Sequence, residues 1–119
     1  MDNLRVIEFH GDIDIVAKDW VERELGRLEV AGDEAFTIVD LTRVRYLDST
    51  FLNALMAVRN RMAKNKPDLR ISLVAPRVGN VRRLFEMAKL DAVFPLFDDV
   101  PTARRSLFGA LPLSLATPA

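Results

Sequence analysis

At 119 residues the chain has the length of a single domain, enough to bury roughly two-thirds of the unfolded surface around one core. Seventeen basic residues balance seventeen acidic ones, which excludes an overall field drawing the protein to nucleic acid or to an anionic membrane. The absence of cysteine removes disulfides and thiolate metal sites, and no apolar run has the length of a membrane span or the character of a secretory leader, so a cytoplasmic soluble protein is the expectation.

Residues 4–10 read as a strand, with Val6, Ile7 and Phe9 apolar and Arg5, Glu8 and His10 polar. Gly11 and Asp12 then turn the chain, and Asp14 caps a helix whose Ala17, Trp20, Val21, Leu25 and Leu28 form an apolar stripe that fades near Val30. The next strand, residues 37–41, is a short β-branched and apolar run suited to burial on both faces of a parallel or mixed sheet. Beyond it Val44, Tyr46 and Leu47 alternate only weakly with Arg43 and Arg45, which predicts a crossing loop with one further ladder contact.

That loop stops at Asp48. Its carboxylate can accept from the backbone N–H of Thr50 or Phe51, satisfying donors that an opening helix leaves free. Ser49 falls in the first turn. Leu52, Leu55, Met56, Met62 and Ala63 recur on one helical face, with Asn53, Asn60, Arg61 and Lys64 opposite. The helix ends in the turn at residues 64–67, where Pro67 follows two lysines.

Residues 71–75 form the third strand, closed by Pro76. Asn80 caps a helix carrying Val81, Leu84, Phe85 and Ala88, with Arg82, Arg83 and Lys89 outward, and Leu90 and Asp91 close that unit. Residues 93–97 are apolar but contain Pro95, which cannot donate a ladder bond and so marks an edge strand. Asp98 and Asp99 precede a last helix with Pro101 in its first turn, Ala103, Leu107 and Phe108 facing the sheet, and Gly109 at its end. Residues 1–109 thus make one domain, and 110–119, apolar with Pro112 and Pro118, make a C-terminal tail. Strands alternating with helices predict an α/β fold.

A helix N-terminus with a hydroxyl is hospitable to a phosphate, and Ser49 could carry one. The competing reading of Asp48, Ser49 and Thr50 is capping alone. His10 is the only histidine, so a hydrolase using Ser49 with His10 is the rival enzyme reading, although no G-x-S-x-G elbow occurs. Neither a P-loop nor a dinucleotide fingerprint can be written from the glycines. Asp12 and Asp14 are explained by a turn and a cap without a metal, and Asp40 lacks the companions of a phosphoacceptor aspartate. Arg82, Arg83, Arg104 and Arg105 read as solvated helix faces rather than a nucleic-acid surface.

The order G-D-I-D (11–14), I-V-D-L (38–41), Y-L-D-S-T (46–50), I-S-L-V-A-P (71–76), V-R-R-L-F (81–85) and L-D-A-V-F (90–94) resembles the STAS domain, the family named for sulphate transporters and anti-sigma factor antagonists. The resemblance runs to about Phe108. It implies a mixed sheet of four or five strands with about four helices packed mainly on one face. It also implies a function: an anti-sigma factor antagonist that binds an anti-sigma factor with serine kinase activity when unphosphorylated and is released when that kinase phosphorylates it.

On the family's motif Ser49 matches the phosphoacceptor, Asp48 the aspartate before it and Thr50 the residue after it. Phe51 stands where the family commonly has glycine. Its ring either folds onto the helix flank or serves as an exposed anchor for the partner, since aromatic residues contribute disproportionately to binding. The expected partner face is Arg43, Tyr46, Phe51 and Asn53 around Ser49. A phosphatase that reverses the modification is a further candidate partner. No catalytic residue, metal or cofactor is expected, ATP and magnesium belonging to the kinase. The alternative is an unphosphorylated STAS scaffold subunit of a signalling or lipid-transport assembly.

Overall fold

The computed structural model describes residues 4–28, 36–65 and 70–109, and side chains among these as far as residue 107. The expected helix fade near Val30, the turn at Pro67, the inward face of Phe108 and the tail 110–119 lie outside that description.

Strands β1 (Leu4–Ile13), β2 (Phe36–Leu47), β3 (Arg70–Val74) and β4 (Leu96–Phe97) form one sheet in the order β1-β2-β3-β4. Every pairing is parallel, so the expectation of a mixed sheet is corrected for the described residues. The reason is connectivity: parallel neighbours need a crossover, and helices α1 (Lys18–Gly26), α2 (Ser49–Asn65) and α3 (Asn80–Met87) provide one after each of the first three strands. Helix α4 (Val100–Gly109) follows β4.

Alternation along the strands sorts the core into two faces. On one, Phe9, Val39, Leu41 and Leu73 meet Val21 and Leu25 of α1, Leu55 and Val58 of α2, and Val81 and Phe85 of α3. On the other, Ile38 and Val74 meet Ala103 of α4, flanked by half-buried Leu4, Phe97 and Leu107. Among the described residues most helical packing therefore lies on one side, with α4 alone on the reverse.

The long ribbon formed by β1 and β2 departs from the sequence reading. β1 does not turn at Gly11 but continues to Ile13, and β2 does not leave the sheet after Leu41 but runs to Leu47. Two register shifts allow this. Between Glu8↔Asp40 and His10↔Arg43, and again between Gly11↔Val44 and Asp12↔Tyr46, β2 has one more residue than β1. Each extra residue is a bulge that re-aims the side chains after it. The buried positions accordingly step from Leu41 to Val44 to Leu47, at intervals that look like a loop when read for strict alternation.

Local chemistry supports the bulges. Asp40 is buried, and its Oδ1 accepts from the Thr42 N–H at 3.0 Å, satisfying a donor at the first irregularity. Gly11 adopts φ 79° beside the second one, with open space around the position a Cβ would take. The left-handed backbone, not crowding, is what calls for glycine there.

The far edge is tied by side chains. The Leu73 N–H donates to the Pro95 carbonyl at 2.9 Å and the Ala75 N–H to the Phe97 carbonyl at 3.0 Å, so Pro95 serves as an acceptor on an edge where its missing donor costs nothing. Arg82 is not the solvated residue its position suggested: its side chain is 14% exposed, and its guanidinium donates to the Ala75 carbonyl at 3.2 Å and to the Asp98 carboxylate. Arg77 donates from Nε to the same carboxylate at 3.1 Å. Desolvation pushes the Asp98 carboxyl up, but the hydrogen bonds and charges of Arg77 and Arg82 more than offset it and hold it below the ordinary 3.8. Asn80 opens α3 rather than capping it; Gly79, at φ 124°, occupies the cap position without a side-chain bond.

Candidate functional site at the start of the second helix

β2 delivers the chain to Asp48, whose N–H donates to the Ile13 carbonyl at 3.2 Å. The loop is thereby pinned to the end of β1. Asp48 Oδ1 accepts from the Thr50 N–H at 2.9 Å, and the Asp48 carbonyl accepts from the Phe51 N–H at 3.2 Å. These bonds satisfy two of the donors that open α2. Ser49, the first residue of α2, is exposed, while Thr50 is half-buried.

Phe51 is fully buried. Its ring meets Phe9 edge-on with centroids 5.2 Å apart and Phe85 at 6.3 Å, and Phe9 in turn meets Trp20 at 5.3 Å. The exposed-anchor reading of Phe51 is therefore corrected. An aromatic side chain three positions into a helix that packs on the sheet gains more by joining a ring cluster than by facing water. The ring turns away from the serine and leaves it accessible.

The other expected contact residues do reach the surface. Arg43 and Asn53 are exposed, and Tyr46 is 51% exposed. Arg45 pairs with Asp12 across the ribbon at 3.2 Å. Two apolar residues that the sequence reading passed over stand beside them. Asp14 Oδ1 accepts from the Val16 N–H at 3.0 Å and opens a 3-10 turn, Ile15–Ala17, in which Ile15 is 67% and Val16 88% exposed. Since Ile13 pairs with Leu47, this turn leaves the sheet next to the Asp48 loop. The available signal was that both residues fall off the apolar stripe of α1.

The geometry weighs against the other chemistries. His10 pairs with Arg43 and meets the Trp20 ring at a tilt, centroids 5.3 Å apart; it lies three residues, about 10 Å of ladder, below Ile13, out of hydrogen-bonding reach of a serine beyond Asp48. Asp12 and Asp14 are engaged by Arg45 and Val16, and no group of acidic and histidine side chains among the described residues is arranged to hold a metal ion. No helix among the described residues is long and apolar enough to cross a membrane.

The STAS domain model matches residues 1–103. No curated protein sequence matches the chain. Among solved structures, the chain is similar to an anti-sigma factor antagonist from Mycobacterium paratuberculosis, with 27% identity and a TM-score of 0.76 over 89% of this chain and 86% of that one. A protein from Thermotoga maritima aligns with a TM-score of 0.74 at 16% identity over 89% and 88% of the two chains. The anti-sigma factor antagonist SpoIIAA in its unphosphorylated form aligns with a TM-score of 0.61 at 17% identity over 89% of each. At these last two identities the likeness is one of fold.

Proposed function

The chain belongs to the STAS domain family, and from that premise we propose that it is a non-enzymatic anti-sigma factor antagonist that works by partner switching, with Ser49 as the switch. The observation that carries the reading is the exposed Ser49 at the first position of α2, in a loop fixed by the Asp48 cap and left open by the inward Phe51 ring. The 27% identical antagonist from Mycobacterium paratuberculosis supports the role.

In its unmodified form the protein docks an anti-sigma factor that is also a serine kinase, through the surface formed by Arg43, Tyr46, Ser49 and Asn53 and widened by Ile15 and Val16. Phe51 belongs to the core beneath this surface. The kinase supplies ATP and magnesium. Ser49 Oγ loses its proton to the kinase's base and bonds to the γ-phosphorus as the bond to the ADP oxygen breaks. The new group adds about −1.5 to −2 charge and a hydration shell beside the Asp48 carboxylate. A partner surface fitted to a neutral hydroxyl must then desolvate that group and faces like-charge repulsion wherever it presents a carboxylate. The complex separates, the anti-sigma factor turns to its sigma factor, and a phosphatase resets the cycle. An exchange that consumes ATP is one of the cytoplasm.

Phosphate mapping by mass spectrometry after incubation with candidate anti-sigma kinases tests the assignment. Label on Ser49, abolished by Ser49→Ala, is the expected result; label persisting in that variant removes Ser49 from the role.

A further inference from the structure

At the opposite end of β2 and α2 the fold opens into a cavity of about 430 Å³. Its origin is the brevity of β4. Leu96 and Phe97 pair with Leu73 and Val74, so among the described residues the first half of β3, Arg70 to Ser72, has no strand beside it on that edge. The space left over lies between the two hydrophobic clusters, walled by Phe36, Met62, Phe94 and Leu107.

Two cationic groups meet this apolar volume. Ser72 stands in its wall but is only 1% exposed, with its Oγ sealed beneath the surface. Arg59 from α2 and Arg70 from β3 also line the cavity, both exposed at its mouth. The volume falls within the range of small-molecule sites, which are mainly apolar with a few convergent polar groups.

We propose that this cavity binds an amphiphilic monocarboxylate, a free acid with an apolar chain. The chain lies among Phe36, Met62, Phe94 and Leu107, and the two guanidinium groups at the mouth hold the carboxylate. Two cations at the mouth of an apolar interior complement a single negative head on an apolar body; they do not match a cationic amphiphile or a polar sugar. The site is separate from Ser49: Arg59 lies ten residues further along α2, about 15 Å of helix rise.

Titration of the full-length protein with decanoate, followed by calorimetry and by backbone amide shifts, tests the proposal. Saturable binding is expected, with shifts centred on Arg59, Arg70 and Ser72. Decanol should bind at least tenfold more weakly, and Arg59→Gln and Arg70→Gln should each weaken decanoate roughly tenfold, the scale of a charge-assisted hydrogen bond. Absence of saturable binding, equal affinity for decanol, or affinity indifferent to both arginine substitutions would overturn the proposal. So would shifts at these residues that follow protein concentration and ignore decanoate, which would give the cavity to a second copy of the chain.

Discussion

Replacing Phe51 by alanine separates a core residue from a docking residue. Burial of a phenylalanine side chain contributes about 1.5–3 kcal/mol by transfer alone, and each edge-on ring contact adds about 0.5–1.5 kcal/mol. Phe51 is completely buried and makes two such contacts, with Phe9 and Phe85. The void left behind carries its own cost, so the expected loss is about 4 kcal/mol, within the range of about 3–5 kcal/mol for such truncations. A surface anchor would change stability by no more than about 0.5 kcal/mol. Urea unfolding followed by circular dichroism reads the difference, as a lower midpoint at unchanged slope. Phe51→Leu keeps much of the apolar volume and should fall between wild type and alanine. A Phe51→Ala protein that loses less than about 1 kcal/mol but binds its partner poorly would refute the packing argument.

Other consequences follow from single contacts. Asp48→Ala removes the cap on the Thr50 N–H and should cost about 1 kcal/mol in urea unfolding; an unchanged midpoint would show that solvent replaces the bond without loss. Thr37 is buried with an unpartnered hydroxyl, so Thr37→Val should raise stability by about 1 kcal/mol, and a destabilised variant would mean the hydroxyl has a partner in solution. Asp98, held below its ordinary 3.8 by Arg77 and Arg82, contributes stability that is fully present above its unfolded value and is lost as the pH falls through its lower folded value. The stability gap between wild type and Asp98→Asn should therefore narrow as the pH drops below 3.8, and a gap independent of pH would contradict the pairing.

How much of this was legible in the sequence depended on whether neighbouring residues obeyed one period. Ile38 and Val39 announced a doubly buried strand and occupy opposite faces of the sheet. The stripe through Val21 and Leu25 gave α1, and Asp48 followed by Ser49 and Thr50 gave the start of α2. The ribbon from Asp40 to Leu47 was hidden because two bulges insert residues that strict alternation cannot accommodate. Phe51 was ambiguous because its fate rests on Phe9 and Phe85, which are distant in sequence and adjacent only in the fold. Arg82 looked solvated for the same reason: its acceptors, Ala75 and Asp98, converge through the β3-β4 edge. Ile15 and Val16 showed as residues off a stripe, a signal that becomes a surface only once β1 is known to end beside the Asp48 loop.

The central claim is that a phosphate on Ser49 acts on the partner and not on the fold. Titration calorimetry of the anti-sigma kinase with unmodified and Ser49-phosphorylated protein measures this directly, alongside the thermal midpoint of both forms. A penalty of about 3 kcal/mol corresponds to binding weakened more than about a hundredfold, with the midpoint nearly unchanged because Ser49 lies outside the core. Equal affinities of the two forms would contradict the switch, and unfolding of the phosphorylated protein would show that the charge acts through the structure instead.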